Sequence, residues 1–486
     1  MGARTGDAYL QGLRERPRDV WIHGEQVRGD ITAHPAFHNV TRSVAALYDR
    51  QHDPALRDEM TYVSPSSGER VGLSFLQPRT PGDLQRRRRM MKRWADLSGG
   101  MLGRTPDYLN TGLMAFAAAA PYFGQNDPRF ADNVRRYYEH VREHDLCLTH
   151  SIITPQVNRA VGAAEQPDPY VAARVARETD AGLIVRGGRM LATLGPISDE
   201  ILVLPATMLR DTPEERPYAF AFAIPVDTPG LTFICRESFD YGRSRFDHPL
   251  GSRFDEMDAV VAFQDVLVPW ERVFLYGDVD RCNGLVGETN AVVHMAYQVI
   301  VKDLAKAEFL LGIASLIADR IGIEGFKHVQ EKLAEIIIDV EAMRAFLRAS
   351  EADAALDRWG VLTPAFGPLN AARNLFPRLY PRIVEVIQLL GASGLMAIPT
   401  EADLHSPIRP LIDRYLQGRN SDAEDRVRLF RLAWDATLSA FGSRQVLYER
   451  FFFGDPVRMA AALTLGYDLE PYKARVRAFL DADGAS

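Results

Sequence analysis

A histidine and several neutral hydrogen-bonding residues stand together in residues 143–159, EHDLCLTHSIITPQVNR. His150 lies between two hydroxyl residues, Thr149 and Ser151. This stretch falls where a helical pattern gives way to a β-rich one, and ligand pockets favour such seams between domains. From this window alone, a strand that begins with one hydrogen-bonded histidine is the favoured interpretation, and a ligand pocket is the alternative.

A cation and a phenol group stand close together in residues 103–108, GRTPDY. Arg104 and Tyr108 are four residues apart across a proline-containing helix start, so both side chains could face the same side. Arginine carries a permanent charge, which suits it to hold an anionic oxygen. Taken alone, Arg104 fits a salt bridge at the helix start equally well.

Two further positions could take part in binding or catalysis. His294, in NAVVHMAYQ, could serve as a base near neutral pH, or it could be a polar residue that caps a helix. Gly391 and Gly394 enclose Ser393 in the sequence GASG, where exposed amides could approach a pyrophosphate. A glycine at a helix end is also a common C-cap.

The elements that must position these residues fall into three predicted parts: a mainly helical domain (1–148), a β domain (149–285), and a helical bundle with a C-terminal tail (286–486). Apolar residues recur at helical spacing in the first part, and a hairpin is predicted at 60–76. Its helices are predicted at 35–49, from Thr80–Pro81 onwards, at 108–120 and at 129–141.

The middle part alternates short β-branched and aromatic runs with turn residues, which is typical of an antiparallel sandwich or barrel. Strands are predicted at 182–185, 190–194, 201–204, 219–224, 231–235, 259–263 and 272–276, with turns that include Gly187–Gly188. Residues 207–217 form a charged loop between two strands and are a candidate lid. Long helices at 299–319, 328–350, 377–390 and 422–450 predict a four-helix bundle, so the class is α+β.

The composition excludes several kinds of protein. The chain has 486 residues, 57 basic and 64 acidic, and its net charge of −7 does not suggest nucleic-acid binding. The three cysteines form no CxxC pair, which argues against a disulfide scaffold or a cysteine-rich metal site, and no metal is expected. The N-terminus has no signal-peptide pattern and no stretch is long enough to span a bilayer, so a cytoplasmic protein without membrane contact is expected.

Seven motifs resemble, in order along nearly the whole chain, the oxygenase component of the 4-hydroxyphenylacetate 3-monooxygenase family. They are GRTPDY (103–108), THSIITPQVNR (149–159), GGRMLATLGPISDEILVLP (187–205), FDHPLGSRFDEMDAVVAFQDVLVPWERVF (246–274), KDLAKAEFLLG (302–312), LLGASG (389–394) and YERFFFGDPVRM (448–459). The resemblance implies an acyl-CoA dehydrogenase-like fold. It also implies a two-component enzyme that takes reduced FAD from a separate NAD(P)H-dependent flavin reductase.

The resemblance implies the chemistry and the residues that perform it. Reduced FAD reacts with O2 to give a C4a-hydroperoxyflavin, and one oxygen atom enters the ring ortho to a phenol hydroxyl, giving a catechol. The family assigns phenol recognition to the positions of Arg104, Tyr108 and His150. This assignment is reasonable because a phenolate, the more reactive form, needs a cation and hydrogen-bond donors. Related halophenol oxygenases use a histidine in the region of His294 to deprotonate the substrate.

The resemblance also implies a set of flavin contacts. Thr193 resembles the hydroxyl residue placed near the flavin N5, and the GASG segment resembles a pyrophosphate contact that comes from another subunit of a homotetramer. The remaining predicted flavin contacts are His150, Ser151, Ile152, Gln156, Val157, Asn158, Arg159, Phe453, Gly454, Asp455 and Pro456.

Other functions stay open in the sequence. An acyl-CoA dehydrogenase would need a carboxylate base that cannot be placed, and a related dehydratase would need a cysteine-held iron–sulfur cluster that Cys147, Cys235 and Cys282 do not reproduce. A halophenol or nitrophenol monooxygenase and a catalytically silent flavin-binding scaffold remain as alternatives. The substrate could be a para-substituted phenol such as 4-hydroxyphenylacetate, a tyrosine-like compound, or a carrier-tethered phenol.

Overall fold

The computed structural model describes residues 2–206 and 208–482. The first region is helical, as the sequence predicts. Its helices are α1 (Gly6–Glu15), α2 (His38–Asp49), α3 (Arg57–Met60), α4 (Pro81–Leu97), α5 (Pro106–Ala118), α6 (Ala120–Gly124) and α7 (Pro128–His144). Its strands are β1 (Asp19–Ile22), β2 (Glu25–Gln26), β3 (Thr61–Val63) and β4 (Arg70–Gly72).

Local sequence signals explain where these elements begin. Thr80 and Asp83 form a capping box, with Pro81 in the first turn of α4. Asp127 caps the start of α7 by accepting a hydrogen bond from the Arg129 amide. The predicted hairpin is present as the antiparallel pair β3–β4. These helix and hairpin predictions are confirmed.

The second region contains two open sheets. Its strands are β5 (Leu148–Ser151), β6 (Arg174–Thr179), β7 (Gly182–Thr193), β8 (Glu200–Val203), β9 (Phe220–Pro225), β10 (Leu231–Cys235), β11 (Asp258–Pro269) and β12 (Val273–Tyr276), with the short helix α8 (Gly251–Phe254) before β11. One sheet has the order β2-β1-β10-β11-β7-β6 and the other β12-β9-β8-β5. Phe222 and Phe263, one from each sheet, meet at 6.2 Å between ring centres. The sheets therefore form a sandwich, and the barrel alternative is wrong.

Three details of the β region differ from prediction. The pairs β5–β8 and β1–β10 are parallel, so the sandwich is not wholly antiparallel, and β1 from the first region joins its larger sheet. Gly187–Gly188 is not a turn but lies within β7, where Gly187 has a φ of 113°. A Cβ at Gly187 would lie 2.5 Å from the Ala172 carbonyl oxygen, so glycine is needed for the backbone at Ala172 to approach β7 closely.

The third region is helical. Its helices are α9 (Val279–Glu288), α10 (Ala291–Ile321), α11 (Lys327–Ala352), α12 (Phe366–Gly391), α13 (Glu401–Leu404), α14 (Arg409–Tyr415), α15 (Ala423–Thr437), α16 (Ala440–Phe451), α17 (Pro456–Gly466) and α18 (Glu470–Ala482), with the short strands β13 (Ala355–Leu356) and β14 (Leu362–Thr363). The long helix α10 is mostly buried and packs against α4, α5, α11, α12 and α15. It is thus the central helix of the bundle and also borders the first region.

Two helix predictions in the bundle are wrong in their limits. Pro377 does not begin a helix, because α12 starts at Phe366 and runs through Pro377 and Pro381. Packing against α10 and α11 keeps the helix continuous despite the missing amide donors. The predicted fourth helix is two helices, because Ser439 caps a new start by accepting from the Gly442 amide at 3.1 Å.

The predicted domain limits at 148/149 and 285/286 fall inside β5 and α9, and the division into three domains stays a prediction. One hydrophobic core runs through all three regions. Within the described residues, no helix is both long enough and apolar enough to cross a bilayer.

Candidate active site

The fold brings Arg104, Tyr108 and His150 together where α5 meets β5. Tyr108 is in the first turn of α5 and His150 is in β5, and their rings are 5.7 Å apart. Arg104 lies just before α5, with its Cζ 4.4 Å from the centre of the Tyr108 ring. The structure therefore brings these three side chains together, and their part in binding a phenol stays a prediction.

Aromatic rings from the far end of the chain cover Arg104. Its Cζ is 4.0 Å from the ring centre of Phe452 and 5.7 Å from that of Tyr448. A Cβ on Gly103 would lie 2.2 Å from the Tyr448 hydroxyl oxygen, so no larger residue fits at position 103. The end of α16 therefore forms the wall of the site.

The guanidinium of Arg104 has unused hydrogen-bonding capacity. Its Nε and Nη1 are buried and have no hydrogen-bond partner among the described residues. Burial acts to lower the pKa of Arg104, but the nearby Tyr448, Tyr108 and Glu256 raise it above its ordinary value. A buried cation with free donors is costly unless an acceptor is supplied, which suits an anionic or phenolic ligand.

A network of ion pairs fixes the backbone of this site. The amide of Arg104 donates to Glu256 Oε1 at 2.6 Å, and Arg444 reaches Glu256 Oε2 at 3.2 Å. Arg444 also donates twice to Asp258, at 2.7 and 2.8 Å. Thr193 donates its hydroxyl to the same Asp258 at 2.8 Å. The network thus connects Arg104, before α5, to Thr193, at the end of β7.

His150 is held as a neutral imidazole. Burial and the positive charge of Arg104 lower its pKa well below the ordinary value, because both disfavour the imidazolium. Its neighbour Thr149 donates to the Thr193 carbonyl at 2.8 Å, which fixes β5 against β7. A neutral imidazole can still donate or accept one hydrogen bond to a phenol.

His294 has surroundings of its own. It lies in α10, buried, with Nε2 3.3 Å from the Thr363 hydroxyl and with Nδ1 unpartnered among the described residues. Burial and the charge of Arg87 lower its pKa well below the ordinary value. No described contact joins it to Arg104, Tyr108 or His150, and its part in deprotonating substrate stays a prediction.

The depressed pKa of His294 makes a prediction about acid stability. An unfolded histidine takes up a proton below about pH 6.5 and the folded His294 does not, so stability is full above that pH and falls as the pH decreases. This one group should cost about 1 kcal/mol of unfolding free energy between pH 7.5 and 5.5. We expect His294→Gln to reduce the pH dependence by about that amount in urea denaturation at the two pH values.

The matched control is His328→Gln, at an exposed position at the start of α11. This variant should retain the full pH dependence of the parent protein. An unchanged pH dependence in His294→Gln would show that His294 takes up a proton in the folded protein.

The predicted flavin contacts fall into groups with different environments. Ser151 and Ile152 lie beside His150, and Phe453 packs on Phe452 at 4.8 Å, so two of the groups adjoin the site. Residues 156–159, with Gln156, Val157, Asn158 and Arg159, form an exposed loop.

The segment after α16 is also open. Gly454 has a φ of 119° and empty space where a side chain would be, and Asp455 caps α17, which begins at Pro456. Such an open rim beside the Arg104 site fits a large cofactor.

The GASG segment lies far from this site within one chain. Arg373 contacts the Phe453 ring at 5.2 Å, and Gly391 follows eighteen residues later along α12, which is about 27 Å away. Gly391 is buried against Leu395 and Gly394 against Phe430, while Ser393 is exposed. Its predicted contact with the flavin pyrophosphate, from another subunit, stays a prediction.

Sequence reasoning missed the residues that support the site. Glu256, Asp258, Tyr448 and Phe452 lie within quoted motifs and Arg444 lies just before one, but nothing in their spacing shows that they meet. Lys302 and Lys306 carried a usable signal, because two lysines four residues apart lie on one face of a mainly apolar helix. Both are buried and bind Glu449 of α16, Lys302 at 2.7 Å.

Comparison with known proteins agrees with this geometry. Residues 5–275 match the family model described as 4-hydroxyphenylacetate 3-hydroxylase N terminal, and residues 282–481 match the corresponding C-terminal model. A relative from Geobacillus sp. (strain PA-9), named 4-hydroxyphenylacetate 3-monooxygenase oxygenase component, is 53% identical over 99% of this chain and 97% of its own.

Solved structures give the same result. A crystal structure of the oxygenase component of 4-hydroxyphenylacetate 3-monooxygenase, complexed with FAD and 4-hydroxyphenylacetate, is 52% identical, covers 99% of both chains and has a TM-score of 0.95. A 4-hydroxybutyryl-CoA dehydratase from N. maritimus, 22% identical, has a TM-score of 0.89 over 99% of this chain and 95% of its own, which shows the shared fold alone. The fold is acyl-CoA dehydrogenase-like, and the chain belongs to the 4-hydroxyphenylacetate 3-hydroxylase family, the oxygenase components that hydroxylate phenols with reduced FAD and O2.

Proposed function

We propose that Arg104, Tyr108 and His150 hold the oxygen of a para-substituted phenol, such as 4-hydroxyphenylacetate or a tyrosine-like compound, which is hydroxylated at the ortho position. The observation that carries this proposal is the buried guanidinium of Arg104, which lies next to Tyr108, whose ring is near that of His150. Its Nε and Nη1 have no hydrogen-bond partner among the described residues. An ionised phenol supplies the missing acceptor and the missing negative charge.

The residues divide the work according to their charge states. Arg104 stabilises the phenolate, because a permanent cation lowers the pKa of a phenol beside it. His150 acts as a neutral hydrogen-bond partner and does not keep the proton released by the phenol, because burial and the charge of Arg104 lower its pKa. Tyr108 lies edge-on to Phe452 at 5.5 Å and provides a ring surface next to the substrate ring. Reduced FAD, when bound, supplies with O2 the electrophilic oxygen.

The decisive experiment supplies the full chain with reduced FAD from a separate flavin reductase, in air, and offers a panel of para-substituted phenols. We expect a catechol that contains one atom from 18O2, detected by mass spectrometry. Release of halide or nitrite would favour a halophenol or nitrophenol monooxygenase. Formation of H2O2 alone with every phenol would favour a flavin-binding scaffold and contradict the proposal.

We further propose that the flavin lies between Thr193, the 156–159 loop and the Phe453–Gly454 segment, with its pyrophosphate near the GASG segment of another subunit. The position of Thr193 beside β5 and the open space at Gly454 support this placement. The length of α12 supports the contribution of a second copy, since GASG lies about 27 Å along the helix from the Phe453 contact.

An exposed apolar stripe supports assembly into a homotetramer. Tyr472, Val476, Phe479 and Leu480 recur at helical spacing on α18 and are 54%, 60%, 72% and 65% exposed. Such a face is normally buried by a partner, and a second copy is the partner that also explains the GASG placement. Sedimentation velocity of the full chain should give four copies per particle.

The partner that supplies reduced FAD is proposed to be an NAD(P)H-dependent flavin reductase, and the location is proposed to be the cytoplasm. The free cysteines Cys147, Cys235 and Cys282 form no disulfide among the described residues, which suits a reducing compartment.

The loop predicted as a lid is anchored to α9. The Leu209 amide donates to Asn283 Oδ1, and Asn283 Nδ2 donates to the Leu209 carbonyl, both at 2.9 Å. Thr207 lies outside the described residues. We expect that trimming this loop, or loosening it by Asn283→Ala, raises the share of oxidised flavin that ends as H2O2, because a closed site excludes water.

The measurement is the ratio of H2O2 to catechol per flavin oxidised. Asn374→Ala is the control, because among the described residues the side chain of Asn374 bonds only to Asn370, in its own helix. Unchanged coupling in both loop variants would mean that the loop does not close the site.

A further inference from the structure

The hydroxyl of Thr193 already donates its one hydrogen bond to Asp258. Its Oγ1 donates to Asp258 Oδ1 at 2.8 Å, and the Thr193 carbonyl accepts from the Thr149 hydroxyl at 2.8 Å. A threonine hydroxyl has a single hydrogen and two acceptor lone pairs. A ligand atom that contacts Thr193 Oγ1 therefore meets only acceptor lone pairs and must itself donate a hydrogen bond.

The direction of this hydrogen bond follows from the charge on Asp258. Burial acts to raise the pKa of Asp258, but the charge and hydrogen bonds of Arg444, followed by those of Arg236, hold it well below its ordinary value. Arg444 donates to both carboxylate oxygens and Arg236 Nε donates to Oδ2 at 3.0 Å. An ionised carboxylate can only accept, so the hydroxyl of Thr193 must donate.

We propose that Asp258 makes Thr193 an acceptor-only contact for the flavin N5, and that this pair selects reduced FAD over oxidised FAD. The inference rests on the proposed function, in which the flavin ring lies beside Thr193. Reduced flavin carries a hydrogen on N5 and can donate to Thr193. Oxidised flavin has a bare lone pair there, which faces another lone pair. An oxygenase that must take reduced FAD from solution gains by rejecting the oxidised form.

The test compares the affinities of the full chain for the two flavin states, by anaerobic titration with reduced FAD and aerobic titration with oxidised FAD. Thr193→Val removes the acceptor with little change in shape. We expect its affinity for reduced FAD to fall about tenfold, the effect of one hydrogen bond, and its affinity for oxidised FAD to stay level or rise. Thr193→Ser should retain the preference of the parent protein.

A second variant reverses the direction of the hydrogen bond. In Asp258→Asn the amide can donate to Thr193 Oγ1, which frees the hydroxyl hydrogen to meet oxidised N5. We expect the ratio of the two affinities to fall about tenfold, mainly through tighter oxidised FAD. Asp258→Asn also weakens the pairing with Arg444 and Arg236. If this variant does not fold, Thr193→Val and Thr193→Ser test the inference without it.

The matched control is Thr232→Val, because Thr232 also donates its hydroxyl to an aspartate, Asp19, at 2.5 Å in the same sheet. Both of its affinities should equal those of the parent. Equal losses of both flavin states in Thr193→Val, or no change in either, would overturn the inference. The catechol assay tests the proposed function separately. If no catechol forms but the ratio of the two flavin affinities changes in Thr193→Val, the proposed substrate reaction is contradicted and the flavin selection is supported.

Discussion

Arg104→Met should lower kcat/KM for the phenol about 10²- to 10³-fold, the effect of removing one side of a buried, charge-assisted contact worth about 2–5 kcal/mol. Methionine keeps an unbranched side chain that can pack against Phe452, so the aromatic wall should survive. Binding of reduced FAD should change less than the phenol reaction, because the guanidinium faces Tyr108 and Phe452. Steady-state hydroxylation and anaerobic flavin titration measure the two quantities.

Two controls separate the charge from the packing in this experiment. Arg104→Lys keeps a cation but loses the planar fork, so its activity should lie between those of the parent and the methionine variant. Arg89→Met makes the same change at an exposed position of α4 and should match the parent. An equal loss of phenol reaction and flavin binding in Arg104→Met would make Arg104 a structural residue.

Lys302→Met should lower the free energy of unfolding by about 3–5 kcal/mol, because it leaves the buried Asp303 without its paired cation and leaves Glu449 with Lys306 alone. Lys302 Nζ lies 2.6 Å from Asp303 and 2.7 Å from Glu449, and all three side chains are buried. Glu449 is in α16, directly after Tyr448, so the same change should loosen the wall over Arg104. Urea denaturation and the reactivity of the phenol site would report both effects.

The control for Lys302→Met is Lys473→Met, which breaks an ion pair of similar length, 2.8 Å to Glu470, on the exposed surface of α18. Exposed pairs contribute little, so this variant should melt like the parent. Adding Asp303→Leu to Lys302→Met should recover part of the loss, since it removes the carboxylate left unpaired and Glu449 keeps Lys306. No recovery would show that packing rather than charge causes the destabilisation.

Local chemistry explains which parts of the fold could be predicted. Thr80, Pro81 and Asp83 indicate a helix start within four residues, and short runs of β-branched and aromatic residues between turn residues predict most strands. Predictions failed where distant packing overrides a local signal. A proline usually begins or ends a helix, yet α12 continues through Pro377 because it packs against α10 and α11. Gly187–Gly188 looks like a turn in the sequence, but it lies within β7 and lets the backbone of Tyr170 and Ala172 approach closely.

The site was predictable to the extent that its residues share a motif with the family. Arg104, Tyr108 and His150 meet as expected, in two elements that neither periodicity nor spacing would pair. The supporting ion pairs were not predictable, because Glu256 and Arg444 are separated by 188 residues and only the fold joins them. Charged residues in a helix or strand usually face solvent, so their burial gave no local signal.

The contact between Gly103 and Tyr448 has a consequence for biosynthesis. The proposed phenol site takes one side from residues 103–108 and its cover from the end of α16, which leaves the ribosome much later than residues 103–108. Before α16 has been synthesised, Tyr448 and Phe452 cannot cover Arg104, so its charge stays hydrated. The proposed site therefore closes only after α16 has been synthesised, and a prematurely terminated product that lacks α16 would have an incomplete site however well its earlier regions fold.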